Sequence, residues 1–328
     1  MVALATPLTQ HAGIEVPLIC GAMYPCTNPE LVAAVSDAGG LGIVQPLAMV
    51  YVHGHDLKEG LRLIARQTSK PIGMNVLIER SSRTYLDRMR RWLDIALEEG
   101  VRFFVTSLGK PGWVVERVAP VGGCVYHDVT ERKWAQKAIQ GGVHGLIAVN
   151  DRAGGHAGPK SAATLMDELG DLGRPVVCAG GVGDEQAFVA ALRLGYAGVQ
   201  MGTRFIATPE CRVHEDYKRR IVEATEDDVV LTERITGVPL AVLRTPYVDR
   251  VGLKAGPVAR WMLRGRRTKY LMRTLYALRY VRKLRRAVLK GGSSKDYWQA
   301  GRSVAGIHAI EPAGDIVRRF AEAARAAT

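Results

Sequence analysis

Two glycine-rich turns late in the chain are the first residues whose types and spacing suit chemistry. Ala179-Gly180-Gly181-Val182-Gly183 and Met201-Gly202-Thr203-Arg204-Phe205 each follow a short apolar run. Glycine has no Cβ, so backbone N–H groups there can approach an anion closely, and a threonine hydroxyl adds a donor. Either turn alone is met equally well by glycines that only shape a tight bend. Two in succession point to a phosphate site. A third cluster, Asn150-Asp151-Arg152-Ala153-Gly154-Gly155-His156-Ala157-Gly158, ends another apolar run. His156 sits among small residues that leave room for a flat ligand, and an imidazole exchanges protons near neutral pH. The flanking Gly154 and Gly155 show no packing reason of their own. That favours a ligand-facing loop over a histidine that merely bonds its own backbone.

Strands must carry these turns. Short apolar runs alternate with helix-like stretches, the pattern of parallel βαβ units. Strands are expected at 16–20, 41–45, 71–76, 102–106, 123–126, 145–149, 175–179 and 198–201. Helices are expected at 28–38 (capped by Thr27 or Asn28), 56–67, 81–99, 134–140 and from Asp184 onward. Eight units in this length match a TIM (β/α)8 barrel, whose catalytic face lies at the strand C-termini and whose phosphate site follows strands seven and eight. A doubly wound open sheet would carry its glycine fingerprint after the first strand, and here the glycine turns come late. The division expected is a barrel over 1–245, a basic helical insertion or lid over 246–310, and a C-terminal helix over 311–328 packed on the barrel. Tyr297, Trp298 and Gln299 suit either the substrate side of such a lid or plain aromatic packing.

Composition narrows the class. The 328 residues are 47% hydrophobic and 23% charged, enough apolar material for a full core and too much for a disordered chain. The uncharged stretch 38–55 carries three glycines in its first five residues and cannot form a bilayer helix. Nothing near Met1 reads as a secretion signal, so a cytoplasmic protein is expected. Five cysteines without a Cys-x-x-Cys pair argue for reduced thiols and no metal site. Charge is uneven: fifteen Lys or Arg and no Asp or Glu fall between Arg250 and Lys295. Removing those fifteen from the whole-chain +13 leaves −2 for the rest. That segment mixes Leu271, Met272, Leu275 and Leu278 with Arg273, Arg282, Arg285 and Arg286 at helical spacing. It suits a solvated rim helix, or docking to an acidic carrier protein, a CoA phosphate or an anionic membrane surface. No nucleic-acid motif accompanies the charge.

Taken together, Gly21-Ala22-Met23, Asp37-Ala-Gly-Gly-Leu-Gly42, Pro71-Ile-Gly-Met-Asn75, Ala153-Gly-Gly-His156, Ala179-Gly-Gly181 and Met201-Gly-Thr-Arg-Phe205 resemble the nitronate monooxygenase family. That family also holds flavin-dependent enoyl-thioester reductases and NAD(P)H:quinone reductases, and the resemblance spans about 13–208. It implies non-covalent FMN at the strand C-termini, with Ala22 and Met23 along the ring and Asn75 hydrogen-bonding it. Gly180, Gly181, Gly202 and Thr203 would hold the phosphate, Gly154 and Gly155 would also bind the cofactor, and His156 would act as base or orient substrate. The activity it implies first is oxidation of a nitronate with O2 to a carbonyl compound and nitrite. The alternative is NAD(P)H-dependent reduction of an enoyl thioester or a quinone. A homodimer is compatible with this reading. Two positions depart from the family pattern: Cys20 stands where glutamine is common, and Tyr126-His127-Asp128 stands where a lysine or other polar residue faces the flavin. An ionised Asp128 would oppose charge on the reduced flavin and lower its potential.

Overall fold

Runs in which almost every residue is apolar belong to strands covered on both faces, and eight of them do so here. In the computed structural model, which describes residues 4–79, 83–235, 237–256, 286, 288–289 and 297–327, they are β1 (Leu18–Cys20), β2 (Leu41–Val44), β3 (Ile72–Leu77), β4 (Phe103–Ser107), β5 (Cys124–Val129), β6 (Gly145–Val149), β7 (Val176–Ala179) and β8 (Gly198–Met201). All pair in parallel and in chain order, and β1 closes onto β8 through Ile19↔Gln200. The expected TIM barrel is the observed fold.

Helices lie between the strands: α1 (Pro7–Ala12), α2 (Pro29–Asp37), α3 (Pro46–Tyr51), α4 (Leu57–Ala65), α5 (Arg83–Glu98), α6 (Gly112–Val118), α7 (Arg132–Gln140), α8 (Ala162–Leu169), α9 (Glu185–Arg193), α10 (Thr203–Ile206) and α11 (Glu215–Glu223). Their starts follow local chemistry. Proline opens α2, and Asp184 caps α9 by accepting the Ala187 N–H at 2.8 Å. Along α5, Met89, Trp92, Leu93 and Ala96 recur every three to four residues and form its buried face.

Alternation along each strand divides the core in two. One set of side chains faces the helices. The other (Ile19, Leu41, Ile43, Phe103, Val105, Tyr126, Ile147, Val177 and Ala179) fills the barrel, and Leu8 and Ala12 of α1 plug its N-terminal end. Each fully buried aliphatic side chain contributes roughly 1.5–3 kcal/mol, and this interior is a packed core and not a pore.

Beyond the barrel, β9 (Val229–Thr232) and β10 (Leu240–Leu243) form an antiparallel pair that the expected elements did not include. Then come α12 (Pro246–Val251) and a final helix, α13 (Ala313–Ala326), which packs against the barrel helices with Phe320 stacked on Phe188 at 5.4 Å. The amphipathic pattern read across 260–286 lies outside the described residues, Arg286 excepted. Among the described residues no helix is long and apolar enough to cross a membrane.

Candidate active site

The C-terminal ends of the strands converge on one mouth, organised by a side chain that sequence reasoning quoted but did not assign. Asn150, fully buried at the end of β6, donates to the Gly180 carbonyl at 2.9 Å and accepts the Arg152 N–H at 2.9 Å. Its backbone carbonyl accepts the N–H groups of Ala153 and Gly158. One amide therefore folds the His156 loop and fastens it to the turn after β7. A buried polar residue directly after an apolar strand was the available signal.

That turn is built for close approach. Gly180 has φ +117° and Gly181 φ +79°, and a Cβ on Gly180 would stand 2.2 Å from the Asn150 Oδ1. Only glycine fits there. The N–H groups of Gly180, Gly181, Gly202 and Thr203 donate to no other described residue. Thr203, itself buried, accepts the Gly301 N–H at 3.0 Å on its hydroxyl oxygen, which leaves the hydroxyl proton free to donate elsewhere.

The glycines beside His156 do have packing reasons, contrary to expectation. A Cβ on Gly154 would meet the Gly301 nitrogen at 2.8 Å, and one on Gly155 would meet the Gln299 Oε1 at 2.9 Å. At Gly158 it would reach the Val149 carbonyl oxygen at 2.2 Å. A segment more than a hundred positions away presses on this loop, which no local pattern could reveal. The loop nonetheless presents its histidine outward. His156 is exposed and its imidazole makes no hydrogen bond to another described residue. Protein crowding around the mouth holds its pKa below the usual histidine value. A lowered pKa leaves the imidazole neutral at neutral pH.

Segment 297–303 is the strap that does the pressing. Gln299 bridges Val242 while Ala241 bridges Gly155, so β10 joins strap to loop. The Arg302 N–H donates to the Arg152 carbonyl, and Arg152 pairs with Glu226. Tyr297 and Trp298 are each 1% exposed and stack on Tyr247 and Tyr217, so both pack, and Gln299 reaches the His156 loop at Gly155. Arg204 ties down the chain that follows the strap: 1% exposed, it donates to the Ala207 and Ala309 carbonyls and pairs with Glu311.

Ala22, Met23 and Asn75 lie on the same rim. Met23 places its sulfur 3.2 Å from where a Cβ of Gly202 would be, and its N–H donates to the Thr27 hydroxyl. Asn75, buried on β3, gives a long 3.3 Å bond to the Val105 carbonyl. Contacts therefore link residues 22–23, 150–158, 180–181, 202–203 and 299–301, with Asn75 facing inward from β3 at the same level. Cys20, flagged as a departure, instead faces the helices.

By alternation the inward residues at this level are Gly21, Gln45, Asn75, Ser107, Asp128, Val149, Ala179 and Gln200. Two of them leave buried oxygens without a hydrogen-bond partner among the described residues, Asp128 Oδ1 and Gln200 Oε1. Gln200 went unnoticed in the sequence, although a glutamine inside the apolar run of β8 was the clue. Burial pushes the Asp128 carboxyl up to about 7. At the opposite end of the barrel a groove of about 320 Å³, lined by Thr6, Arg174, Tyr196 and others, shares none of these residues.

Comparison with known proteins places this mouth in context. Residues 5–322 match the family model described as "Nitronate monooxygenase". The chain is 34% identical to a Mycobacterium tuberculosis protein named (3aS,4S,5R,7aS)-5-hydroxy-7a-methyl-1-oxo-octahydro-1H-indene-4-carboxyl-CoA dehydrogenase, covering 78% of this chain and 70% of that one. It is 28% identical to a probable nitronate monooxygenase of Staphylococcus saprophyticus, over 76% and 81% of the two chains. Among solved structures, FabK from Thermotoga maritima superposes with a TM-score of 0.82 at 28% identity, over 99% and 97% of the chains. The chain belongs to the nitronate monooxygenase family of flavoprotein oxidoreductases.

Proposed function

We propose that the mouth holds FMN and that the enzyme exchanges hydride between a nicotinamide nucleotide and the carbon skeleton of an acyl thioester. The residues present fit such a group. The unengaged N–H groups of Gly180, Gly181, Gly202 and Thr203, with the Thr203 hydroxyl, suit a terminal phosphate. The unpartnered oxygen of Gln200 and the weakly engaged amide of Asn75 suit the polar edge of a flat ring beside Ala22 and Met23. Ile19, Ile43, Val105 and Ile147 make an apolar floor beneath it. When bound, the flavin supplies two-electron chemistry, and the chain supplies position, exclusion of water and proton handling.

One observation carries the choice of substrate. The inward ring contains no lysine or arginine, and its one carboxyl is raised toward neutrality by burial. With no cation at these inward positions, and Arg152 beside Gly181 already paired with Glu226, the strands offer no counter-charge to an anionic nitronate and suit a neutral thioester. His156, neutral at working pH, would accept the proton that leaves substrate as hydride departs, and return it in the reverse direction. The relatives at 34% and 31% identity are both named as a carboxyl-CoA dehydrogenase, which favours the same class. The fifteen Lys and Arg of 250–295 would complement the carrier's phosphates. Nitronate oxidation with O2 is the second reading, favoured by the family model and by relatives named for that activity.

Anaerobic half-reactions decide between them. The yellow protein should bleach with NADH or NADPH and reoxidise with an enoyl-CoA, and a nitronate should leave it coloured. Bleaching by nitronate alone would reverse the assignment. In either case His156→Ala should keep its flavin and slow reaction with the organic substrate by about 10²–10⁴-fold. Unchanged rates would remove His156 from the chemistry.

A further inference from the structure

Asp128 stands on the inward side of β5, two residues above Tyr126, whose ring fills the barrel centre. Its Oδ1 is buried without a hydrogen-bond partner among the described residues. Among the described residues, the strands packed against it carry no compensating charge. On β4, the Thr106 hydroxyl donates to the Tyr126 carbonyl at 3.1 Å and bonds the His127 Nδ1 at 2.8 Å, and Ser107 is neutral. On β6 the neighbours are Ile147 and Ala148. On its own strand, Tyr126 spends its hydroxyl on His11, and His127 faces the helices, kept neutral by burial that pulls it down to about 4. Across the mouth stand the neutral amides of Gln45, Asn75 and Gln200. Burial is the cause of the upward shift of Asp128.

A buried carboxyl oxygen left without a partner is costly to the fold. Packing does not demand it, because Val149 and Ala179 hold the corresponding inward positions on β6 and β7. A polar group that is costly to the fold and open to the ligand site is best explained by what enters that site.

Resting on the reading of the mouth as a flavin site, we propose that Asp128 is a ligand-facing residue whose protonated carboxyl donates a hydrogen bond to the electron-accepting edge of the bound group. Hydride adds two electrons and one proton to that group, leaving one net negative charge. A carboxyl that is protonated then meets this charge with a donor. An ionised carboxyl takes up one further proton from water as the electrons arrive, so the overall uptake above neutral pH is two protons per two electrons. The effect expected from an ionised Asp128, a lowered potential, is thereby confined to alkaline pH.

Two measurements test this. Midpoint potentials of the flavin-loaded protein and of Asp128→Asn are taken from pH 5.5 to 8.5. Above neutral pH the wild type should lose potential more steeply than Asp128→Asn, by one proton per two electrons, a tenfold change in the equilibrium per pH unit and about 30 mV. The protonated-carboxyl C=O stretch is also followed by infrared titration of the flavin-free protein. It should persist to about neutral pH in the wild type and lose one carboxyl's intensity in the variant. Equal slopes in wild type and variant, with flavin retained, overturn this inference alone. The same holds for a wild-type band that vanishes in the ordinary carboxylate range, a readout that survives even if the variant misfolds. A wild type that takes up no flavin overturns the reading of the site and this inference with it.

Discussion

The inward polar side chains at the two ends of one barrel differ in how far they are bonded. At the N-terminal end, Tyr126 bonds the His11 ring at 3.0 Å, and the His144 ring accepts the Val125 N–H at 3.0 Å. At the C-terminal end, Asp128 and Gln200 leave oxygens unpartnered, and His156 stands without a bond. Asp128 is only two residues further along the same strand than Tyr126. Satisfied polar groups make a rigid plug, and unsatisfied ones keep capacity for a ligand. Glycine divides the same way. At Gly145 a side chain would strike the Tyr126 ring at 2.3 Å, a demand of the core alone, whereas Gly180 bends backbone toward the mouth.

The contrast can be broken at the bottom without touching the top. The largest effect is expected from Gly145→Ala, which forces Tyr126 out of its place. It should destabilise the protein by about 1–3 kcal/mol while the flavin absorption of the folded fraction stays unchanged. A variant that keeps its stability but loses flavin would show that the two ends are coupled.

A smaller effect should appear on acidification. His127 is buried and neutral in the folded state, with its pKa pulled down to about 4, whereas unfolding restores the usual value of 6.5. Between these values the unfolded chain binds more protons, so stability must fall as pH falls, by up to about 1.4 kcal/mol per pH unit from this group. Denaturant melts at pH 6.5, 5.5 and 4.5 should show that slope, and His127→Gln should flatten it. An equal slope in the variant would assign the acid sensitivity to other groups. Smallest is Tyr126→Phe, which removes the hydroxyl bonded to His11. A loss of about 1 kcal/mol is expected, with turnover unaltered. A clear change in turnover would mean that the plug reports to the mouth.

Much of this was legible beforehand. All eight barrel strands fall within two or three residues of where apolar runs placed them, because both faces of a parallel sheet are covered and leave an unbroken signature. The β9–β10 pair was missed because its two short strands are separated by polar and glycine residues and pair outside the barrel. The turns after β7 and β8 and the His156 loop were identified from residue type. The reason given for Gly154 and Gly155 failed, since what they accommodate is the backbone of residues 299–301.

Residue order alone was enough for the architecture and for the chemical types gathered at one end, because strand periodicity, helix caps and glycine turns are properties of neighbours in the chain. Partnership was settled only when distant segments met. Neither the strap held by Thr203, nor the Ala309 carbonyl held by Arg204, nor the burial that raises the Asp128 carboxyl, nor the isolation of Gln200 has a local signature. Whether a polar atom is satisfied depends on which remote groups come within about 3 Å of it, and the folded packing alone decides that.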